Sequence, residues 1–228
     1  MASPYRAVIF DMDGTMVDNM RYHAEVWLTL AARLGTDGRS DLTLADFERE
    51  FAGKKNDEIL AQLSKTPLSP ADVERISQEK ESLYRTAYAK HLRPLPGLLA
   101  FLASLRAQSV PCAVATAAPR ENRDFVLDGL GLRAAFNVVM GAESVRRGKP
   151  HPDIFLRTSD DLGIPAASCL VFEDATNGVR AARAAGMDVV GVLTTTDAEA
   201  LRSAGARWTI HSYSVLPHDL IEALGLSL

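Results

Sequence analysis

Six side chains in four short stretches could do chemistry in this 228-residue chain. Asp11 and Asp13 stand in "AVIFDMDGTMVDN", Thr116 in "PCAVATAAP", Lys149 in "RRGKPHPDIF", and Glu173 with Asp174 in "CLVFEDATNGVR". Four acids brought together raise one another's pKa unless a cation neutralises them. A hard cation such as Mg²⁺ suits an all-oxygen set, and it is commonly held by one or two carboxylates plus a substrate phosphate. Thr116 can then hydrogen-bond a phosphate oxygen and Lys149 can neutralise its charge. The loop N–H groups from Met12 to Thr15, opened by Gly14, add further donors. The chemistry expected of this set is the handling of a phosphoryl group with Mg²⁺. Taken singly, each residue has a plainer role: Thr116 as a helix cap, Lys149 as a solvated charge, Asp174 as the N-cap of the helix holding Val179. Their joint placement is what points to a site.

Placing them together is the task of five apolar, β-branched runs: Arg6–Phe10, Pro111–Thr116, Asn137–Met140, Cys169–Asp174 and Asp188–Leu193. These runs are continuous rather than alternating, as for strands covered on both faces. Helical stretches separate them from the second onward. "PGLLAFLASLRAQ" spaces Leu98, Phe101, Leu102 and Leu105 at helical intervals, and "TNGVRAARAAGM" puts Gly186 where a helix ends. Alternating strand and helix predict an α/β fold with a doubly wound parallel sheet. In such sheets ligands bind beyond the carboxyl ends of the strands, where all six residues fall.

The first strand breaks the rhythm, because about 100 residues separate Phe10 from the next one, far more than a crossover helix needs. "RYHAEVWLTLAARLG" puts His23, Val26, Trp27, Leu30 and Leu34 on one stripe. "TLADFEREFAG" opens with Thr43 and carries Asp46 three residues on, a variant of the capping box. Ser69 and Pro70 begin a third helix over "SPADVERISQEKESLYRTAYAKHL". The expected organisation is a catalytic core of residues 1–17 and 92–228, interrupted by a helical subdomain over 18–91.

Composition narrows the function classes. A net charge of −4 argues against a nucleic-acid binder relying on bulk positive charge. No apolar run approaches the roughly 20 residues of a membrane helix, and "MASPYRAVIF" lacks the pattern of a secretory signal. Cys112 and Cys169 lie in apolar runs and are expected to be buried free thiols, which fits a reducing cytoplasm. A small-molecule partner, no nucleic acid, no membrane and a monomer are the expectations.

"DMDGTMVDN", "VATAAP", "GKPHPDIF" and "VFEDATNGVRAARAAGM" resemble, in order, the four motifs of the haloacid dehalogenase superfamily. The likeness covers nearly the whole chain, and the helical insert is similar to the small cap of the β-phosphoglucomutase-like subgroup, which also holds phosphatases of small metabolites. The resemblance implies a Rossmann-like core and a role for each residue. Asp11 would be the nucleophile, forming an aspartyl-phosphate, and Asp13 the acid/base serving leaving group and water. Mg²⁺ would take a carboxylate oxygen of Asp11, the backbone carbonyl of Asp13 and the carboxylate of Asp174, with Glu173 close by. Thr116 and Lys149 would complete the catalytic set, and Met12, Gly14 and Ala117 would line the phosphate. The cap would close about hinges near Met16–Asp18 and His91–Pro96. His23 matches a cap-base histidine that contacts the acid/base on closure. "GKKNDEI", Gly53–Ile59, would be the specificity loop, in which Lys54 or Lys55 could meet a second anionic group. Lys80 resembles a cap lysine of the mutases.

Three functions compete. The first is a Mg²⁺-dependent phosphatase, a phosphoric monoester hydrolase acting on a small phosphorylated metabolite such as a sugar phosphate. The second is a β-phosphoglucomutase, which returns the phosphoryl group to the sugar instead of to water. Against it, Asn56 stands where those mutases place an arginine for the distal phosphate, and an amide does not replace a bidentate guanidinium. Ala117-Ala118-Pro119 also replaces polar substrate-gripping residues, a loss that Arg120 could offset. The third, a phospho-accepting receiver domain, uses similar chemistry but needs only about 120 residues and carries no helical insert after its first strand.

Overall fold

The computed structural model describes residues 3–34 and 42–226. The elements run β1 (Ala7–Phe10), α1 (Met20–Leu34), α2 (Leu44–Phe51), α3 (Asn56–Leu63), α4 (Pro70–Tyr88), α5 (Leu98–Ala107), β2 (Cys112–Ala115), α6 (Arg120–Gly129), β3 (Val138–Met140), α7 (Asp153–Leu162), β4 (Cys169–Glu173), α8 (Thr176–Ala184), β5 (Asp188–Val192), α9 (Ala198–Ala204), β6 (Trp208–Ile210) and α10 (His218–Leu224). Gly35, at the end of the first predicted helical stretch, lies outside the described residues.

The strands form one parallel sheet of order β3-β2-β1-β4-β5-β6, a doubly wound, Rossmann-like arrangement. β1 lies at its centre because it is wholly buried on both faces. The chain moves outward from β1 through β2 and β3 on one side and through β4, β5 and β6 on the other. The crevice where strand order reverses, between β1 and β4, is where such sheets bind ligands. Phe10 is level with Val114 of β2 and with Phe172 of β4, so the residues following these three strands open onto one rim.

Two apolar layers hold the sheet. On one face Phe10 stacks on Phe172 with ring centroids 5.2 Å apart, and Phe101 and Tyr213 pack against both. Burying each such ring contributes roughly 1.5–3 kcal/mol. The other face packs Ile9, Ala113 and Val171 with Phe155 and Val179. The expected stripe of α5 is observed, with Leu98, Phe101, Leu102 and Leu105 all buried. Cys112 and Cys169 are buried free thiols, and burial pushes them up to about 12 and about 11.

Five strands were expected and a sixth is present. β6 is only three residues, and its mixture of Trp208, Thr209 and Ile210 gives no apolar run to read. Trp208 packs into the core at 6% exposure, with its Nε1–H donating to Asp219 Oδ2 at 2.7 Å.

Helices α1 to α4 lie between β1 and α5, and they pack on one another and on α6. Thr43 and Asp46 make a complete reciprocal capping box at α2, and Ser69 Oγ accepts from the Asp72 N–H at the start of α4. The two connections between these helices and the sheet run side by side, joined by a bond from Leu95 N–H to Met16 O at 2.8 Å.

Candidate active site

The rim built by β1, β2 and β4 holds a buried cluster of charge. Lys149 Nζ donates to Asp11 Oδ1 and Glu173 Oε1, both at 2.6 Å, and to Ala115 O at 3.2 Å, so one ammonium ties three strand ends together. Lys149 is 2% exposed, Glu173 and Asp174 1% each, and Asp11 6%. The solvated role open to Lys149 is thereby excluded. Asp174 is likewise not a helix cap, because the N-cap position of α8 is Ala175. Thr116 does not cap a helix either: α6 begins after Pro119, and Thr116 Oγ1 accepts from the Ala118 N–H at 3.1 Å. Its hydroxyl hydrogen stays available to donate.

Carboxylate oxygens of Asp11, Glu173 and Asp174 lie within 4.8 Å of one another. Lys149 supplies one positive charge among three acids, and the electrostatics follow from that imbalance. Burial, with the Glu173, Asp174 and Asp13 charges, holds Asp11 well above the usual carboxylate range although Lys149 opposes it. Burial and the Glu173 charge push Asp174 up to about 7. Lys149 is itself held up, the two carboxylates outweighing the opposite effect of burial. Asp174 Oδ1 accepts from Thr15 Oγ1 at 3.0 Å, whereas its buried Oδ2 has only the Thr195 hydroxyl, itself unpaired, beside it. A carboxylate oxygen so placed, beside two more acids, fits a hard divalent cation such as Mg²⁺. Gly14 belongs to the same fit. At φ +76° it has a backbone favourable to glycine, and a methyl group there would overlap the Asp174 carboxylate.

The loop after β1 differs from expectation in its donors. Gly14 N–H donates to Asn19 Oδ1 at 3.0 Å and to Val17 O at 2.9 Å, and Thr15 N–H donates to Met12 O at 3.3 Å. Both are therefore committed within the loop, and Gly14 contributes close approach rather than a free N–H. Met12 is fully buried, and its carbonyl also accepts from Met16 N–H at 2.8 Å.

Asp13 faces the helices rather than the three-acid group. Its Oδ1 accepts from Asn19 Nδ2 at 2.5 Å and lies 3.7 Å from His23 Nε2. Asn19 Nδ2 also donates to Tyr84 OH at 2.6 Å, and the Tyr84 ring stacks on His23 with centroids 3.7 Å apart. Lys80 Nζ is 2.7 Å from His23 Nδ1. An ammonium can only donate, so His23 Nδ1 is the acceptor in this contact. His23 Nε2 lies 3.7 Å from Asp13 Oδ1, beyond hydrogen-bond distance, and is buried without a hydrogen-bond partner.

One cavity joins the two regions. Its walls include Asp11, Asp13 and Thr116 on the sheet side and His23, Asn56 and Glu81 on the helical side, with Ala117 and Ala118 between. Four residues expected to bind substrate, Met12, Gly14, Lys55 and Arg120, are not among its walls. Arg120 has an 80% exposed side chain lying 3.5 Å from Asp124 on the outer face of α6. Lys55 Nζ donates to Val145 O at 3.1 Å. Lys54 does line the cavity, but its Nζ donates to Gln62 Oε1 at 3.2 Å. Asp18 is exposed.

Lys80, Glu81, Asn122 and Asn19 are the residues that sequence reasoning underweighted or missed. Lys80 reads as a surface lysine by type, yet it is 3% exposed. A signal did exist: Lys80 stands four residues after Ile76 and four before Tyr84, on the buried stripe of α4.

A haloacid dehalogenase-like hydrolase model matches residues 5–186 of the chain. The fructose-1-phosphate phosphatase YqaB of Escherichia coli is 32% identical over 192 residues, covering 84% of this chain and 98% of that protein. The validoxylamine A 7'-phosphate phosphatase of Streptomyces hygroscopicus subsp. limoneus is 30% identical over 214 residues, 88% of this chain and 91% of that protein. Among solved structures, a β-phosphoglucomutase from Clostridium difficile superposes with a TM-score of 0.81 at 27% identity, covering 97% of each chain.

Proposed function

The chain belongs to the haloacid dehalogenase-like hydrolases, and on that premise we propose that it is a Mg²⁺-dependent phosphatase of a small phosphorylated metabolite, working through an aspartyl-phosphate. The observation that carries this reading is the buried group of Asp11, Glu173 and Asp174 with only Lys149 to balance it, opening into a cavity that Thr116 and Asp13 also line.

Mg²⁺, held by Asp11, Asp174 and the Asp13 carbonyl with Glu173 beside them, would offset the charge of the phosphoryl oxygens as a Lewis acid. The chain's own residues do the rest. An Asp11 carboxylate oxygen bonds to phosphorus as the bond to the leaving oxygen breaks, and the Asp13 carboxyl gives that oxygen its proton. Asp13, now ionised, takes a proton from water. The resulting hydroxide bonds to phosphorus, the bond to Asp11 breaks, and inorganic phosphate leaves. Lys149 holds Asp11 in place and reduces the repulsion between a carboxylate and a phosphate dianion. Thr116 donates its free hydroxyl hydrogen to a phosphoryl oxygen. His23, whose Nε2 lies 3.7 Å from Asp13 Oδ1, flanks the acid/base on the helical side.

Helices α1 to α4 act as the cap in this reading. Met16 and Leu95, paired where the two connections meet, lie at the hinge.

The likeness to a β-phosphoglucomutase of known structure supports a mutase as the second reading. Against it, Asn56 is an amide bonded to Glu81 and Arg120 points away from the cavity, so no guanidinium is offered to a distal phosphate. The protein incubated with Mg²⁺ and a panel of phosphosugars, nucleotides and phosphoglycolate should release inorganic phosphate. Formation of glucose 6-phosphate from β-glucose 1-phosphate without phosphate release would instead establish the mutase.

A further inference from the structure

A carboxylate closes the helical side of the cavity. Glu81 of α4 is 5% exposed, and its oxygens are held from two directions. Oε1 accepts from Asn56 Nδ2 of α3 at 2.7 Å and from Lys80 Nζ at 2.9 Å, while Oε2 accepts from Asn122 Nδ2 of α6 at 2.6 Å. Burial alone would push Glu81 up, but Lys80 foremost, then His23, and then the bonds from Asn56 and Lys80 bring it down to about 2, so it stays ionised. Both amides line the cavity. Each keeps one N–H unused by Glu81, and an amide carbonyl accepts as readily as its N–H donates. Trp27, beside them, supplies an apolar wall.

The cations around this side are committed. Lys80 is shared between Glu81 and His23, Arg85 donates to Asn122 Oδ1 at 2.8 Å, Lys55 is bound to Val145 O, and Arg123 pairs with Glu143. Lys54, the remaining cation among the described cavity-lining residues, rests on Gln62 and 5.3 Å over the Phe51 ring. What faces a ligand here is two amides, an aromatic wall and a balanced ion pair. That surface suits hydroxyl groups, and the paired Lys80 and Glu81 give a second phosphate no net positive charge.

We propose that Glu81 is the specificity-determining residue of this site: it aligns Asn56 and Asn122 to receive the hydroxyls of an uncharged, polyhydroxylated leaving group, and it excludes substrates bearing a second phosphate. The proposal rests on the phosphatase reading above and fixes the substrate class as a polyol or sugar monophosphate.

The test compares p-nitrophenyl phosphate, hexose monophosphates and the corresponding bisphosphates on the Mg²⁺-loaded enzyme. The wild type should favour monophosphate over bisphosphate by about tenfold or more in kcat/KM. In Glu81→Gln that ratio should narrow by about tenfold, chiefly through a lower KM for the bisphosphate. Equal or better use of the bisphosphate by wild type overturns the proposal, as does an unchanged ratio in a folded Glu81→Gln enzyme. Should that variant not fold, competition on the wild type decides: the bisphosphate must inhibit p-nitrophenyl phosphate hydrolysis about tenfold more weakly than the monophosphate, and equal inhibition refutes the idea. Absence of p-nitrophenyl phosphate hydrolysis, by contrast, counts against the phosphatase reading itself.

Discussion

The two sides of the cavity are both built from buried charge, yet they are resolved in opposite ways. On the sheet side three carboxylates share one lysine, Asp174 Oδ2 has only the unpaired Thr195 hydroxyl beside it, and Asp11 and Asp174 are held well above the usual carboxylate range. On the helical side Glu81 has its lysine and two amides, and is held below that range. Unsatisfied charge on the sheet side is a place for a cation and a reacting phosphate. Satisfied charge on the helical side is a fixed surface for recognition. The difference arises from the backbone. Parallel strand ends deliver their next residues to one rim, whereas helices α3, α4 and α6 each contribute one face and can pair what they bring.

The largest way to break this contrast is to remove the nucleophile. Asp11→Asn should lower phosphate release by about 10⁴-fold or more, while melting unchanged or higher than wild type because one of three crowded acids is gone. Activity near wild type would remove the covalent step. Lys149→Met should behave oppositely on stability. It strips the ammonium from two buried carboxylates and should cost about 3 kcal/mol in denaturant unfolding, besides a large loss of turnover. A variant as stable as wild type would mean that the sheet side does not depend on its lysine.

Proton and metal should compete on the sheet side. Asp174 lies at about 7 in the folded protein against an ordinary 3.8. The fold therefore retains a proton that the unfolded chain releases, and metal-free stability should fall as pH rises from about 4 to about 7. Mg²⁺ displaces that proton, so its dissociation constant should rise about tenfold per pH unit below about 7 and level off above it. Calorimetric titration of the protein with Mg²⁺ measures this, and a pH-independent affinity would contradict it.

The smallest effect concerns Glu58, whose Oε2 accepts from Lys55 N–H and whose Oε1 accepts from Gly148 N–H at 3.2 Å, one residue before Lys149. Glu58→Ala should cost about 1 kcal/mol by losing the helix cap and this tie to the sheet side. Glu58→Gln, which keeps an acceptor oxygen, should recover part of that loss.

The sheet side was legible in the sequence and the helical side only in part, at His23 and Asn56, for a physical reason. Asp11, Thr116, Glu173 and Asp174 directly follow apolar runs, and strand polarity alone sends such residues to one edge. Lys149 lies further from its strand, but its motif placed it. Glu81 and Asn122 are 41 positions apart, on helices whose meeting depends on packing that no local pattern encodes. β6 escaped for the related reason that three residues are too few to show a period. Arg120, expected near substrate, turns outward because Asp124 stands one helical turn on.

The central claim is that Asp11 carries the phosphoryl group while Asp13 manages the proton. Asp13→Asn, incubated with Mg²⁺ and a reactive phosphoryl donor such as acetyl phosphate, separates the two roles. Mass spectrometry should find a phosphoryl group on the peptide containing Asp11, released far more slowly than the wild type turns over. Turnover at the wild-type rate, or a phosphoryl group on any other residue, would contradict the account.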